Sequence, residues 1–166
     1  LKGNRLGDKW VKLVLNAAEN CNALEELNIA DNAMRSATAL STFLCSGGNE
    51  VQQVDISWNG LRGSRVVADL NKGLTNGNCH IKQLRLAYNG FGAGDRDEFL
   101  VATIADAPSC TQLDISYNVI SSSMVLAFVN ILFNGDTMFK TLNLNGNPIG
   151  NLGARSVLSA ICANDN

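Results

Sequence analysis

The sequence predicts an α/β solenoid. Short parallel strands would line a concave face, and helices would pack behind them on the convex face. Three observations predict it. First, one phrase returns along the whole chain, clearest as Leu142-Asn-Leu-Asn-Gly-Asn147-Pro-Ile149 and clipped at the start as Leu1-Lys-Gly-Asn4-Arg-Leu6. Second, the asparagines of this phrase fall at 4, 32, 59, 89, 118 and 147, in steps of 28, 27, 30, 29 and 29 residues. Third, the residue eleven places after each asparagine is apolar: Leu15, Phe43, Leu70, Leu100, Val129 and Leu158. Four places earlier stand Val11, Ala39, Val66, Arg96, Val125 and Ala154, apolar except for Arg96. Positions four apart share one helix face, so each unit reads strand, turn, helix.

The two apolar residues of each strand point to one side, because side chains alternate along a strand. The asparagine follows where the chain turns away. Its amide both donates and accepts, so it can satisfy backbone groups that a buried turn would orphan. A stacked ladder of such bonds outweighs any catalytic reading of the six asparagines.

In order, residues 1–23 give a half strand, a turn and a helix from Asp8 to about Asn20, with Asp8 as its N-cap. Trp10 is expected to pack against a neighbouring repeat. Residues 24–50 give a helix from about Ser36 to Cys45, ended by Gly47-Gly48-Asn49. Residues 51–80 return through Gly73 and Asn76-Gly77-Asn78, a looser connection. His80 is the only histidine, and its neighbour Cys79 is poorly placed to face it, so a nucleophile pair is disfavoured. Residues 81–109 carry a glycine-rich turn, Gly90 to Gly94, without the spacing or the lysine of a phosphate loop. Asp95 to Glu98 should open the next helix, where acids suit the positive end of its dipole, and Pro108 should mark the return. Residues 110–138 place Ser121 to Ser123 as an N-cap before an apolar helix, Met124 to Phe133, expected to be deeply packed. Residues 139–166 form the most regular unit, with Gly150 and Gly153 leading into the last helix.

The repeat resembles the ribonuclease-inhibitor type of leucine-rich repeat, whose units of this length carry a full helix. Ile56-Ser-Trp-Asn-Gly-Leu61 and Ile115-Ser-Tyr-Asn118 resemble intracellular repeat proteins of cytosolic and ciliary scaffolds. The resemblance implies a horseshoe arc, a protein or peptide partner, and aromatics used at the rim of the concave face. It also leaves open a GTPase regulator of the Ran GTPase-activating type, or a structural span of a cytoskeletal assembly or innate-immune receptor. Residues 1–166 are read as a single domain of about five and a half repeats, a segment of a longer chain, since the chain opens within a strand phrase and shows no polar cap at either end.

Composition bounds the function. The net charge is −2, with 17% charged residues and no basic run, which argues against nucleic acid. Five cysteines, at 21, 45, 79, 110 and 162, form no C-x-x-C pair, and no N-x-S/T sequon occurs. A reducing, cytoplasmic setting is favoured over secretion, with a disulfide framework as the alternative. Cys110 takes the place of Leu24, Val51, Ile81 and Phe139 and should be a buried small hydrophobe. No metal, cofactor or catalytic set is expected, and no apolar run is long enough to span a membrane.

Recognition is sought down columns, because equivalent strand positions stack about 4.8 Å apart. The residues between the two core positions are Asn28, Asp55, Arg85, Asp114 and Asn143. Ala30, Ser57, Ala87, Ser116 and Asn145 follow each strand and should line the same face. Asp55, Arg85 and Asp114 read as a cross-strand charge ladder, a recognition stripe, or both. The residues before each asparagine are Gly3, Asp31, Trp58, Tyr88, Tyr117 and Gly146. Trp58, Tyr88 and Tyr117 make three consecutive aromatics at the strand exit, expected to stay partly exposed. They are the preferred partner-binding anchors, a stacked ridge that stiffens the turns being the alternative.

Overall fold

The computed structural model describes residues 1–47, 50–93, 99–107, 109–133 and 140–163. The helices are α1 Gly7–Ala18, α2 Thr38–Cys45, α3 Ser64–Leu74, α4 Phe99–Ala105, α5 Ser122–Phe133 and α6 Gly150–Ala163. They alternate with the strands β1 Glu26–Asn28, β2 Gln53–Asp55, β3 Gln83–Arg85, β4 Gln112–Asp114 and β5 Thr141–Asn143. The strands form one sheet in chain order, every pair parallel. Leu27, Val54, Leu84, Leu113 and Leu142 stand in one register, as the repeat phrase requires. Strands stack about 4.8 Å apart whereas packed helices need about 8–10 Å. The stack therefore fans open on the helical side and curves with the sheet inside.

One core runs the length of the stack between sheet and helices. Ile29, Ile56, Leu86 and Ile115 enter it from the strand exits, Met34, Leu61, Phe91 and Ile120 from the turns, and Val11, Leu15, Leu40, Leu70 and Val125 from the helices. Cys110 is 2% exposed, a small hydrophobe of this core.

The asparagine ladder runs from Asn32 to Asn147. Asn59 donates to the carbonyls of Ile29, Ile56 and Ser57 and accepts from the backbone N–H of Asn32 and Met34. Asn118 accepts from the N–H of Asn89, Gly90 and Phe91, and donates to the carbonyls of Leu86, Ile115 and Ser116. Each of these amides thus ties its own turn to the turn before it, whereas Asn4, in the first turn, bonds only to the carbonyls of Leu1 and Lys2. Gly92 shows how close these turns approach: a Cβ there would lie 2.3 Å from the Val119 carbonyl oxygen, and its φ is +95°.

Several expectations are corrected. Asp8 does not cap α1. It sits in the first turn, and its Oδ1 accepts from the N–H of Arg35 (2.9 Å) and Ser36 (3.1 Å) in the next unit. Trp10 does not pack against a neighbour; it is 56% exposed, with Lys9 Nζ 5.8 Å from the ring centroid. Leu158, expected in the core column, is 61% exposed. Gly73 is not part of the return loop but lies buried within α3, where a Cβ would come 3.0 Å from Ser41 Cα of α2. That glycine lets the two helices close together. Helix α2 starts at Thr38 rather than Ser36, and Gly150 and Gly153 lie inside α6. In α5, Met124, Val125 and Phe128 are buried, and Ser121 Oγ lies 2.8 Å from Ser123 Oγ at its start. The expectations for Gly48-Asn49, Gly94 to Glu98 (Arg96 included), Pro108 and Phe139 lie outside the described residues.

Candidate functional site

The strand exit fixes the aromatic column. Asp31, Trp58, Tyr88 and Tyr117 have φ of 52°, 56°, 56° and 52°, and Gly3 and Gly146 have φ of 77° and 69°. All six positions are therefore left-handed. The following asparagine holds this turn by donating back, as Asn89 does to Leu86 and Ala87. Glycine and aspartate take the left-handed region readily, but for a bulky residue it is an outlier. The geometry swings each Cβ away from the core, so the rings stand on the rim.

There the three rings stack. The Trp58 and Tyr88 centroids are 3.7 Å apart with planes 14° from parallel, and those of Tyr88 and Tyr117 are 4.4 Å apart at 9°. The strand spacing sets these distances. Tyr117 then leans over Gly146, where a Cβ would fall 2.4 Å from Tyr117 Cδ1. Glycine at 146 thus closes one end of the stack. Trp58 and Tyr117 remain 55% and 51% exposed, and Tyr88 between them is half-buried. Loss of water raises the Tyr88 phenol above its ordinary value, and the adjoining Tyr117 phenol adds to the shift. Apart from the outer face of Trp58, the ring faces are covered by one another or by Gly146, so most of what points outward is a ridge of ring edges.

The charge column has the expected register, with Asp55 opposite Arg85 and Arg85 opposite Asp114. The expected ladder of ion pairs does not form: among the described residues Arg85 bonds to neither carboxylate. The carboxylates are committed to the backbone instead. Asp55 Oδ1 accepts from Ser57 N–H (3.0 Å) and Asp114 Oδ1 from Ser116 N–H (2.9 Å). Asn28 and Asn143 do the same for Ala30 and Asn145, at 3.2 and 3.1 Å. Asp55 Oδ2 also accepts from Asn28 Nδ2 at 3.3 Å. These side chains mimic a turn, as Asn and Asp do when they bond to the backbone two residues on. The recurrence of Asn or Asp at this position was a sequence signal for that role. Arg85, with no acceptor to offer, projects beside a shallow depression of about 170 Å³ lined by Gln83, Gln112, Asp114, Thr141 and Asn143.

The next column departs from expectation too. Ala30, Ser57, Ala87 and Ser116 do not line an open face but are buried. Their small side chains sit beneath the aromatic rim, and only Asn145 of that column is exposed.

Elsewhere, His80 is exposed while its neighbour Cys79 is buried, so the two do not meet. Burial raises the Cys79 thiol and pushes Cys110 up to about 11. All five cysteines are free thiols. Among the described residues no group of His, Cys, Asp and Glu is placed to hold a metal ion, and no helix is long and apolar enough to cross a membrane. A groove of about 230 Å³ between α1 and α2, lined by Asp8, Lys12, Asn16, Ser36 and Thr42, had no sequence signal.

Comparison with known proteins follows this geometry. Residues 77–95 and 135–158 match the family model described as Leucine Rich repeat. No curated protein matches the chain. One solved structure similar to it is "Leiomodin-1 Actin-Binding Site 2 (ABS2)", at 11% identity and a TM-score of 0.46, over 89% of this chain and 69% of that one. With five parallel strands in sequential order, a helix after each and matches to the repeat model in two units, the chain has the fold of an α/β leucine-rich-repeat solenoid.

Proposed function

We propose that this solenoid is a non-enzymatic interaction scaffold that binds a protein or peptide through its concave face and aromatic rim. Trp58, Tyr88 and Tyr117 would anchor the partner, and Asp55, Arg85 and Asp114 would set specificity beside them. One observation carries this reading: three stacked aromatic rings held half in water on left-handed backbone. Exposed aromatics of this kind are enriched among binding hot spots, and three adjacent rings offer a few hundred Å² of contact, about the size of patch that marks an interaction site. Arg85 adds a guanidinium that is unpaired among the described residues and lies beside a depression, suited to a partner's carboxylate or carbonyl.

The chemistry of the remaining groups favours binding over catalysis. A buried thiol with a raised pKa is protonated at neutral pH and a poor nucleophile, which describes Cys79 and Cys110. Five free thiols also suit a reducing compartment.

The test is affinity capture from a native lysate with the wild-type chain and its Trp58→Ala/Tyr88→Ala variant, circular dichroism confirming that both are folded. Loss of an anchor should weaken binding by about 2 kcal/mol or more, so a partner on the rim disappears with the variant. Partners retained equally by both proteins would remove the rim as the binding site.

A further inference from the structure

The aromatic stack has two ends, and they differ. At Tyr117 the outer ring face is covered by the Gly146 backbone. At Trp58 the next position in the column is Asp31, whose carboxylate leans the opposite way: Asp31 Oδ2 lies 3.6 Å from where a Cβ on Gly3 would stand. The rings lean toward the sixth unit and the carboxylate toward the first. A slot therefore opens between them, with an indole face on one side and a carboxylate on the other. The two backbones are tied by the bond from Asp31 N–H to the Ser57 carbonyl at 2.9 Å, so the spacing of the two turns is fixed. Trp58 is 55% exposed and Asp31 is exposed. Among the described residues the one cation over an aromatic ring is Lys9, at Trp10, so no cation of the described residues occupies the Trp58 face. Lys2 and Arg5 lie on the first turn, and neither bonds to Asp31.

We propose that the slot between Trp58 and Asp31 receives an arginine side chain of a protein partner, stacked on the indole and paired with the carboxylate. This deepens, and rests on, the reading of the rim as a protein-binding site. An indole face carries negative potential and is the strongest of the aromatic cation acceptors. A guanidinium is planar, sheds water more easily than an ammonium, and has the donor fork a carboxylate accepts. Glu26 and Asp55, on the strands that lead to these two turns, add negative charge to the same side of the sheet. The ring edges of Tyr88 and Tyr117 are electropositive by comparison and would meet the partner's carbonyls. The ridge thus has a polarity along the solenoid, cation at the Trp58 end and acceptors beyond it.

Trp58 itself reports on the site once Trp10→Phe removes the other indole, an exposed residue whose change leaves the core intact. The probe is N-acetyl-Gly-Arg-Gly-amide, titrated against the same peptide with citrulline in place of arginine. Citrulline keeps the shape and removes the charge. Saturable quenching of Trp58 by the arginine peptide, at least about threefold tighter than by the citrulline peptide, is expected. Asp31→Asn keeps the left-handed turn, since asparagine tolerates it, and should abolish the preference. Equal affinity for both peptides, or a preference unchanged in Asp31→Asn, would overturn the proposal. Failure here is separable from failure of the rim reading. Partner capture that needs Trp58 and Tyr88 but ignores Asp31→Asn leaves the rim as the binding site and removes the arginine slot.

Discussion

Replacing Asn118 by alanine should cost about 4 kcal/mol. Its Oδ1 accepts from the backbone N–H of Asn89, Gly90 and Phe91 at 3.0, 2.8 and 3.1 Å. Its Nδ2 donates to the carbonyls of Leu86, Ile115 and Ser116 at 3.1, 2.9 and 3.1 Å. The carbonyls survive the change, because Asn89 Nδ2 still bonds to Leu86, Asn147 Nδ2 to Ile115 and Tyr88 N–H to Ser116. The donors do not. Gly90 is half-exposed and water can reach it, but Asn89 and Phe91 are buried. Two buried N–H groups left without acceptors, at about 1–3 kcal/mol each, give the figure. Stabilities of single domains are about 5–15 kcal/mol, so the variant should stay folded with much of its margin gone. Asn4→Ala is the control: Asn4 is exposed and bonds only to the carbonyls of Leu1 and Lys2, so its loss should cost under about 1 kcal/mol. Urea unfolding followed by circular dichroism reads both, with an unchanged slope showing that compactness is unaffected. Amide exchange at Phe91 would localise the effect. An Asn118→Ala cost no larger than that of Asn4→Ala would refute the ladder as the element that joins the turns.

Three further outcomes are expected. Gly146→Ala should cost about 1–3 kcal/mol, because its φ is +69° and the new methyl group would displace Tyr117 from the stack; altered Tyr117 ring shifts in NMR spectra together with the unfolding midpoint check this. Ser41→Ala should stabilise by about 1 kcal/mol, since the Ser41 hydroxyl is buried against α3 without a hydrogen-bond partner among the described residues, and the readout is thermal unfolding. With a pKa pushed up to about 11, Cys110 is a thiolate on the order of one part in a thousand at pH 8, so alkylation there should modify Cys21 and Cys162 quickly and leave Cys79 and Cys110 until the chain is unfolded.

What was legible in the sequence is what repeats. The asparagines announced the ladder because Asn32, Asn59, Asn89, Asn118 and Asn147 have the same task at the same place, and the register of Leu27, Val54, Leu84, Leu113 and Leu142 followed from the same phrase. What failed were single residues judged by their local surroundings. Asp8 has the look of an N-cap, yet the donors it serves are Arg35 and Ser36, one repeat further on. Periodicity told which helix face Leu158 belongs to, but not whether another element covers that face. The charge column was correct in register and wrong in pairing, because Asp55 and Asp114 are taken by their own backbone before Arg85 can compete. The left-handed column had a signal that was not used: glycine and aspartate stand in it at Gly3, Asp31 and Gly146, and these residues tolerate positive φ.

That column also bears on the choice between a stiffening ridge and a binding ridge. Placing a residue with a Cβ in the left-handed region costs roughly 1–2 kcal/mol, and Trp58, Tyr88 and Tyr117 each do so. Two ring stacks return about 0.5–1.5 kcal/mol each. Three such costs against two such gains leave the ridge near break-even or slightly unfavourable. Burial adds to the gains, because nearly half of Trp58 and of Tyr117 and more of Tyr88 is out of water, at about 2 kcal/mol per ring. Glycine at these turns would avoid the backbone cost, as it does at Gly3 and Gly146. The solenoid nonetheless leaves about half of Trp58 and of Tyr117 in water. A partner that covers their edges would add the apolar burial the isolated chain lacks, at about 25 cal/mol for each Å² removed from water. Left-handed backbone kept at an exposed rim is the observation that motivates the proposed interaction site, and capture with the Trp58→Ala/Tyr88→Ala variant decides it.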